Sequence, residues 1–268
     1  MADEAMIGGL PDGQDRAQWL LSFLLDQPLE GYERSIKFGH NMLLDQRFLG
    51  GIAFSRLQRA GVLAICDRLG MPQPLLALLA GEADEPDVVH FGYEGGAGQE
   101  IFKVYFEFAH RARALETGAG FVLHRAFKWD ACAPTRYAIA TYRCIPGLDQ
   151  ADLHRRVANL LAGSAFKGAI SEILELALPR CKVVPMYLEV SEDGNLRASF
   201  DINFHGAGLP FAVIRPALVK DAQLFNSLPD GAIERALRPL EDRQLGHLSA
   251  GTSRSGEDFF TLYYDPFA

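Results

Sequence analysis

The chain has 268 residues, 49% hydrophobic and 22% charged; it can bury a sizeable core, and its composition is neither that of a disordered chain nor of a collagen-like repeat. A formal net charge of −8 argues against a nucleic-acid binder, which needs a basic excess or stripe, so any anion site must be local. Cys66, Cys132, Cys144 and Cys181 form no C-x-x-C pair and no zinc spacing, as expected of reduced thiols in an intracellular protein.

The opening "MADEAMIGGLPDGQDR" is acidic and lacks the basic and apolar regions of a signal peptide, and no apolar run is long enough to span a membrane. The expectation is a cytoplasmic protein without a membrane partner. Residues 1–86 read as a mostly helical segment, because "RAQWLLSFLLDQ" and "AFSRLQRAGVLAICDRLG" carry apolar positions at helical spacing and Gly70 and Pro72 close the second. Between them, "RSIKFGHN" and "RFLGGIAF" fit helix ends and a short hairpin equally well. After the acidic connector "GEADEPD" the texture changes, and residues 87–268 read as an antiparallel barrel domain with outer helices, separate from the first segment or continuous with it.

Four strand pairs are legible there: "VVHFGYE" with "IFKVYFEF", "FVLHRAFKW" with "RYAIATYRC", "KVVPMYLEV" with "RASFDINFH", and "LGHLSAG" with "DFFTLYYD". The connector "SEDGN" holds the Asp-Gly of a hairpin turn. Helical segments "DLHRRVANLLAG" and "AFKGAISEILELAL" precede the third pair, and two more, roughly 216–226 and 229–240, precede the fourth. The fold class is therefore α+β, with hairpins alternating with helix pairs and no strand-helix-strand crossover of a parallel sheet. The glycines of "GYEGGAG" fall between two strands, not at the start of a helix, which removes the dinucleotide-loop reading.

Period-two alternation sorts each strand into an apolar and a polar face. In "IFKVYFEF" the polar set is Lys103, Tyr105 and Glu107; in "RASFDINFH" it is Arg197, Ser199, Asp201, Asn203 and His205. His124 shares a face with Lys128, Arg136 with Tyr142, Tyr187 with Glu189, His90 with Glu94, and His247 with Ser249, while Tyr263 joins them from the last strand. An open sheet with one wet face would explain such residues. The supply of tyrosine and the bulk on both sides of "FFTLYYD" instead favour a closed barrel, with the polar set lining its lumen. A polar lumen implies a polar or charged occupant.

Hairpins alternating with helix pairs, together with the K-x-Y triplet Lys103, Val104, Tyr105, resemble the soluble aromatic prenyltransferases of the αββα (ABBA) barrel superfamily, which includes dimethylallyltryptophan synthases and cyanobactin peptide prenyltransferases. The order of elements matches over roughly 87–265, and the matching residues are "KVYF" and the closing "LYYDP", similar to the tyrosine-bearing last strand of those enzymes. The resemblance implies cationic side chains that hold the diphosphate of an allylic donor, with tyrosines shielding the carbocation. Lys103 and Tyr105 match by motif; Lys128, Arg136, Arg197, Tyr187 and Tyr263 are assigned by facing direction. A carboxylate must accept the proton lost by the acceptor, and Glu107 and then Asp201 are the candidates. No D-D-x-x-D motif is present, so the helical magnesium-dependent type is excluded. No cofactor is obligatory, although Mg²⁺ can assist without a motif of its own. The chain departs from the family in being shorter and in showing four hairpins where the family has five; "RSIKFGHN" with "RFLGGIAF" would be the missing pair.

No H-x-H or H-E-x-x-H is present, so no metal site is expected, though His90, His124, His205 and His247 could converge from separate strands. G-x-S-x-G is missing as well. The function expected is transfer of an isoprenyl group from an allylic diphosphate to an aromatic small molecule or a peptide side chain. The alternative is a non-catalytic protein of a biosynthetic pathway that binds a peptide or partner on the same concave surface. A lipid or pigment carrier would need a mainly apolar lumen, against which the Arg197 strand speaks.

Overall fold

A computed structural model describes residues 13–265 apart from 41, 97, 114–119, 221–227 and 230. Its strands are β1 (Gly31–Gly39), β2 (Met42–Leu44), β3 (Arg47–Ala53), β4 (Val88–Gly96), β5 (Gln99–Glu107), β6 (Phe121–Asp130), β7 (Ala133–Cys144), β8 (Tyr187–Glu192), β9 (Ala198–Asn203), β10 (Leu245–Thr252) and β11 (Asp258–Tyr264). Consecutive strands pair antiparallel from β3 to β11, and β1 bridges β3 and β11, so ten strands close a barrel and the short β2 adds to the end of β1. The described helices are α1 (Gly13–Leu25), α2 (Phe54–Arg68), α3 (Gln73–Ala80), α4 (His110–Arg113), α5 (Gln150–Leu160), α6 (Lys167–Ala177), α7 (Phe211–Lys220) and α8 (Ala232–Leu237). None of the described helices is long and apolar enough to cross a membrane.

The α+β barrel with outer helices and the N-terminal helix stand as the sequence implied. "RSIKFGHN" and "RFLGGIAF" are strands, supplying β1 and β3 and so the fifth pair. The sheet runs straight across residue 86, with Ala53 of β3 opposite Val88 of β4, because only these two strands can join β4 to β11. Gly70 and Pro72 follow the end of α2 at Arg68, as expected, and Pro72 also precedes α3, where a missing N–H costs nothing. Lys182–Met186 do not extend β8, which starts at Tyr187 after Pro185. The helix expected near 216–226 starts earlier, at Phe211, and its residues 221–226 lie outside the described residues.

The apolar faces of the strands point outward under the helices. One core layer joins Leu20, Leu24, Val62, Leu75 and Leu79 of α1–α3 to Phe91, Phe102, Val104 and Phe106 of β4 and β5. The other joins Leu153, Ile170, Ile173, Ile214 and Leu237 of α5–α8 to Phe200, Ile202, Leu248, Phe260 and Leu262. Each fully buried side chain of this size contributes about 1.5–3 kcal/mol, which is what binds the helices to the sheet. At the closing seam Phe38 of β1 lies opposite Phe260 of β11, with ring centroids 4.6 Å apart.

Phe260→Ala should therefore cost about 3–5 kcal/mol, since it opens a cavity at the seam as well as losing transfer energy. Urea denaturation measures this; a loss under about 1 kcal/mol would show that the β1–β11 seam does not support the barrel.

Candidate functional site

With the apolar faces turned outward, the polar faces of all ten strands meet inside. Two adjoining cavities occupy the lumen, of about 490 Å³ and 410 Å³. Arg47, Lys103, Tyr105, Tyr142 and Tyr263 line both and form the waist between them.

The larger cavity is cationic. Its residues come from the end of the barrel where β1, β4, β6, β8 and β10 finish and β5, β9 and β11 begin. Glu94 on β4 gathers three cations: Lys103 Nζ at 2.7 Å, Arg47 Nη1 at 3.0 Å and Lys37 Nζ at 3.2 Å. Glu192, at the end of β8, gathers three more: Arg197 Nη1 at 2.8 Å, Arg254 Nη2 at 3.2 Å and Lys128 Nζ at 3.3 Å. Six basic side chains thus share two carboxylates, a local surplus of positive charge in a cavity whose wall also carries Asp130, Glu257 and Asp258. Burial would raise both acids, but the surrounding cations outweigh it, holding Glu94 well below the usual carboxylate range and Glu192 down at about 2. Burial lowers the Lys103 amine to about 7 despite Glu94, and holds Lys128 well below an ordinary lysine. Spare donors remain: Arg197 Nε and Ser199 Oγ are buried and have no hydrogen-bond partner among the described residues.

At the waist, Tyr105 and Tyr142 meet edge to face at 5.6 Å, and Lys128 Nζ lies 5.6 Å from the Tyr142 centroid. Burial drives the Tyr105, Tyr142 and Tyr263 hydroxyls upward, so all three rings are neutral phenols at physiological pH. Ala126, Ala140 and Val190 form a buried patch against which Tyr105 and Tyr142 pack.

The smaller cavity is lined by histidine–carboxylate pairs. His90 Nε2 lies 2.6 Å from Glu107 Oε2, and His247 Nδ1 lies 2.8 Å from Asp201 Oδ1. Glu33 Oε1 lies 2.9 Å from His205 Nε2 and 3.4 Å from His247 Nε2. Burial opposes the charge on His247, but Glu33 and Asp201 prevail and raise it to about 9; on His124 burial is seconded by His90 and lowers it to about 3. Gly51 lies under the His90 ring, where an added Cβ would sit 2.7 Å from Nδ1. A side chain there would displace the ring from Glu107.

Of the residues anticipated from the sequence, Lys103, Lys128, Arg197, Tyr105, Tyr263, Glu107 and Asp201 line the lumen. Arg136 is at the cationic mouth, its side chain 67% exposed and 3.9 Å from Asp130. Tyr187 is a correction. It is 1% exposed and stacks on Phe200 in the outer core, because the lumen face of β8 is Leu188, Val190 and Glu192. Lys37, Arg47 and Glu33 were not assigned a face from the sequence because their segments fitted helix ends as well as a hairpin; within "GYERSIKFG" the alternation Glu33, Ser35, Lys37 is the signal. Glu192 was hidden in the connector "SEDGN" and Arg254 in the turn "TSRSGE".

The architecture is that of the ABBA barrels, the fold of soluble aromatic prenyltransferases. Among solved structures, the prenyltransferase PriB in a binary complex with product diphosphate is 16% identical with a TM-score of 0.61, covering 97% of this chain and 92% of that one. NotF in complex with brevianamide F and DMSPP is 14% identical with a TM-score of 0.55, over 96% and 88%. AnaPT from Neosartorya fischeri is 13% identical with a TM-score of 0.52, over 87% and 77%. No protein-family model and no curated protein matches the sequence.

Because the folded pKa of Glu192 lies at about 2 against an ordinary 4.5, its stabilising contribution is present above about pH 4.5 and lost as pH falls toward 2. Glu192→Gln should cost a few kcal/mol at neutral pH and flatten that acid limb in urea titrations. An unchanged limb would remove Glu192 as the counterion of Lys128 and Arg197.

Proposed function

We propose that this protein is a soluble prenyltransferase, moving an isoprenyl group from an allylic diphosphate to an aromatic small molecule or a peptide side chain. The observation that carries the reading is the surplus of enclosed cations opening directly onto a tyrosine-lined waist. The PriB complex with diphosphate and the NotF complex with brevianamide F and DMSPP, which share the fold, support the same class of donor and acceptor.

In this reading Lys103, Lys128 and Arg197, joined by Lys37, Arg47 and Arg254, hold the diphosphate, with Arg136 at the entrance. Heterolysis of the allylic C–O bond leaves both bonding electrons on the diphosphate, and fixed ammonium and guanidinium groups stabilise that growing charge. The rings of Tyr105, Tyr142 and Tyr263 face the allylic cation with their negative quadrupoles and keep water from quenching it. The aromatic acceptor, bound in the smaller cavity, supplies the electron pair for the new carbon–carbon bond. Glu107 or Asp201 then takes the ring proton, each already hydrogen-bonded to an imidazole that can relay it. Glu94 and Glu192 are engaged by cations, so any Mg²⁺ would arrive on the diphosphate itself. Reduced cysteines agree with a cytoplasmic setting.

The non-catalytic reading has one observation in its favour: Val183, Met186 and Leu196 are exposed, and Met186 lines the mouth of the smaller cavity. Against it, β1 and β11 pair to close the barrel, so that among the described strands the three-residue β2 is a terminal edge too short for the strand addition that peptide binding uses.

Calorimetric titration with dimethylallyl S-thiolodiphosphate, which binds without ionising, discriminates between the two. Wild-type protein should bind it, and Lys103→Ala should weaken binding by about tenfold to a hundredfold, the worth of a charge-assisted hydrogen bond. Affinity should fall as pH rises through about 7, where the Lys103 amine loses its proton. Lys103→Arg should flatten that slope relative to wild type, the ligand's own ionisation being common to both. Absence of binding by the wild type would leave the partner-binding reading in front.

A further inference from the structure

The end of the barrel remote from the cations carries a cluster that shares His247 with the proposed proton relay and adds Glu33 and His205, to which the transfer reaction gives no role. Glu33 enters from the start of β1, His247 from the start of β10, and His205 from the turn after β9. One ligand atom of each lies within 4.8 Å of the other two. Both imidazoles direct Nε2 at the same carboxylate oxygen, His205 at 2.9 Å and His247 at 3.4 Å from Glu33 Oε1. We infer that these three side chains form a binding site for a divalent transition-metal ion of the Zn²⁺ or Co²⁺ type, at the acceptor end of the lumen.

The arrangement is built for orientation. His247 presents Nε2 inward because its Nδ1 is hydrogen-bonded to Asp201 at 2.8 Å, the outer carboxylate that commonly fixes a metal-ligating imidazole. The His205 ring rests on the backbone of Gly246, where an added Cβ would stand 2.7 Å from Cε1, and the residue's backbone N–H donates to Asn203 Oδ1 at 3.1 Å, which fixes the turn that carries it. The two rings meet edge to face at 5.0 Å. A tetrahedral ion with bonds of about 2.0–2.2 Å needs ligand atoms roughly 3.3 Å apart, so the separations on Glu33 require movements of only a few tenths of an ångström.

Two imidazoles and one carboxylate select a borderline ion over Mg²⁺ or Ca²⁺, which take oxygen ligands. Three protein ligands leave a position for water or for a donor atom of the molecule in the cavity. His205 is 48% exposed, so the ion has access from solvent. His90, Glu107 and His124 form a second triad in the same cavity. There, however, His124 is wedged between the Tyr105 and Tyr142 rings, and no common oxygen receives both imidazoles.

The test is titration of untagged, chelator-treated full-length protein with Co²⁺, read by visible absorption, and with Zn²⁺, read by calorimetry. One equivalent should bind with the intense visible bands of a four- or five-coordinate Co²⁺ site. His205→Ala, at an exposed position that leaves the core untouched, should abolish the spectrum, and Asp201→Asn should weaken Zn²⁺ by about tenfold to a hundredfold. His90→Ala should retain it. Absence of Co²⁺ bands, binding that survives His205→Ala, or binding lost in His90→Ala would each overturn the proposal. None of these readouts depends on prenyl transfer, so failure here and failure of the transferase reading are separable.

Discussion

Charge enclosed in a barrel whose outer surface is packed under helices must be balanced from within. Lys103, Lys128 and Arg197 are largely buried, and an unpaired buried ion costs several kcal/mol, a large share of the stability of a domain. Glu94 and Glu192 resolve this in the empty barrel, each as the common counterion of three cations. The cations are thereby fixed in place with positive charge left over. A polyanionic ligand with several oxygens meets a preorganised set of donors and has little further ordering to impose.

The same constraint divides the lumen. Cations lie where β5, β9 and β11 begin, the tyrosine waist follows, and imidazole–carboxylate pairs lie where those strands end. Because strand residues advance by about 3.3 Å each, two positions along one polar face move a side chain from one zone to the next. On β5 the order is Lys103, Tyr105, Glu107: an amine, a ring and a carboxylate in sequence along one face. β11 repeats the pattern from Thr261 at the cationic end to Tyr263 at the waist. Donor, cation and acceptor in the proposed reaction would be stacked in that order, which keeps the leaving group and the departing proton on opposite sides of the newly formed bond.

Much of this was legible in the sequence wherever alternation ran for six or more residues. The two-faced strands at 101–108 and 197–205 assigned Lys103, Tyr105, Glu107, Arg197 and Asp201 to one surface, and all of them line the lumen. Two strands were legible only as one of two alternatives, helix ends or a hairpin. β1 and β3 lie among helices, and "RFLGGIAF" owes its pattern to glycines that let Leu24 and the His90 ring approach, so its periodicity is weak. With those strands went Glu33, Lys37 and Arg47. Tyr187 failed for a different reason: facing direction was counted from the wrong residue of β8, and a one-residue error of phase exchanges the two faces completely.

The account rests on the lumen, and not the outer surface, being where a diphosphate is held. A crystal structure with dimethylallyl S-thiolodiphosphate tests this directly. Diphosphate oxygens within hydrogen-bonding distance of Lys103 and Arg197, with the dimethylallyl group against Tyr105, Tyr142 and Tyr263, are the predicted result. A diphosphate bound outside the barrel, or a lumen that excludes the analogue at saturating concentration, would contradict it.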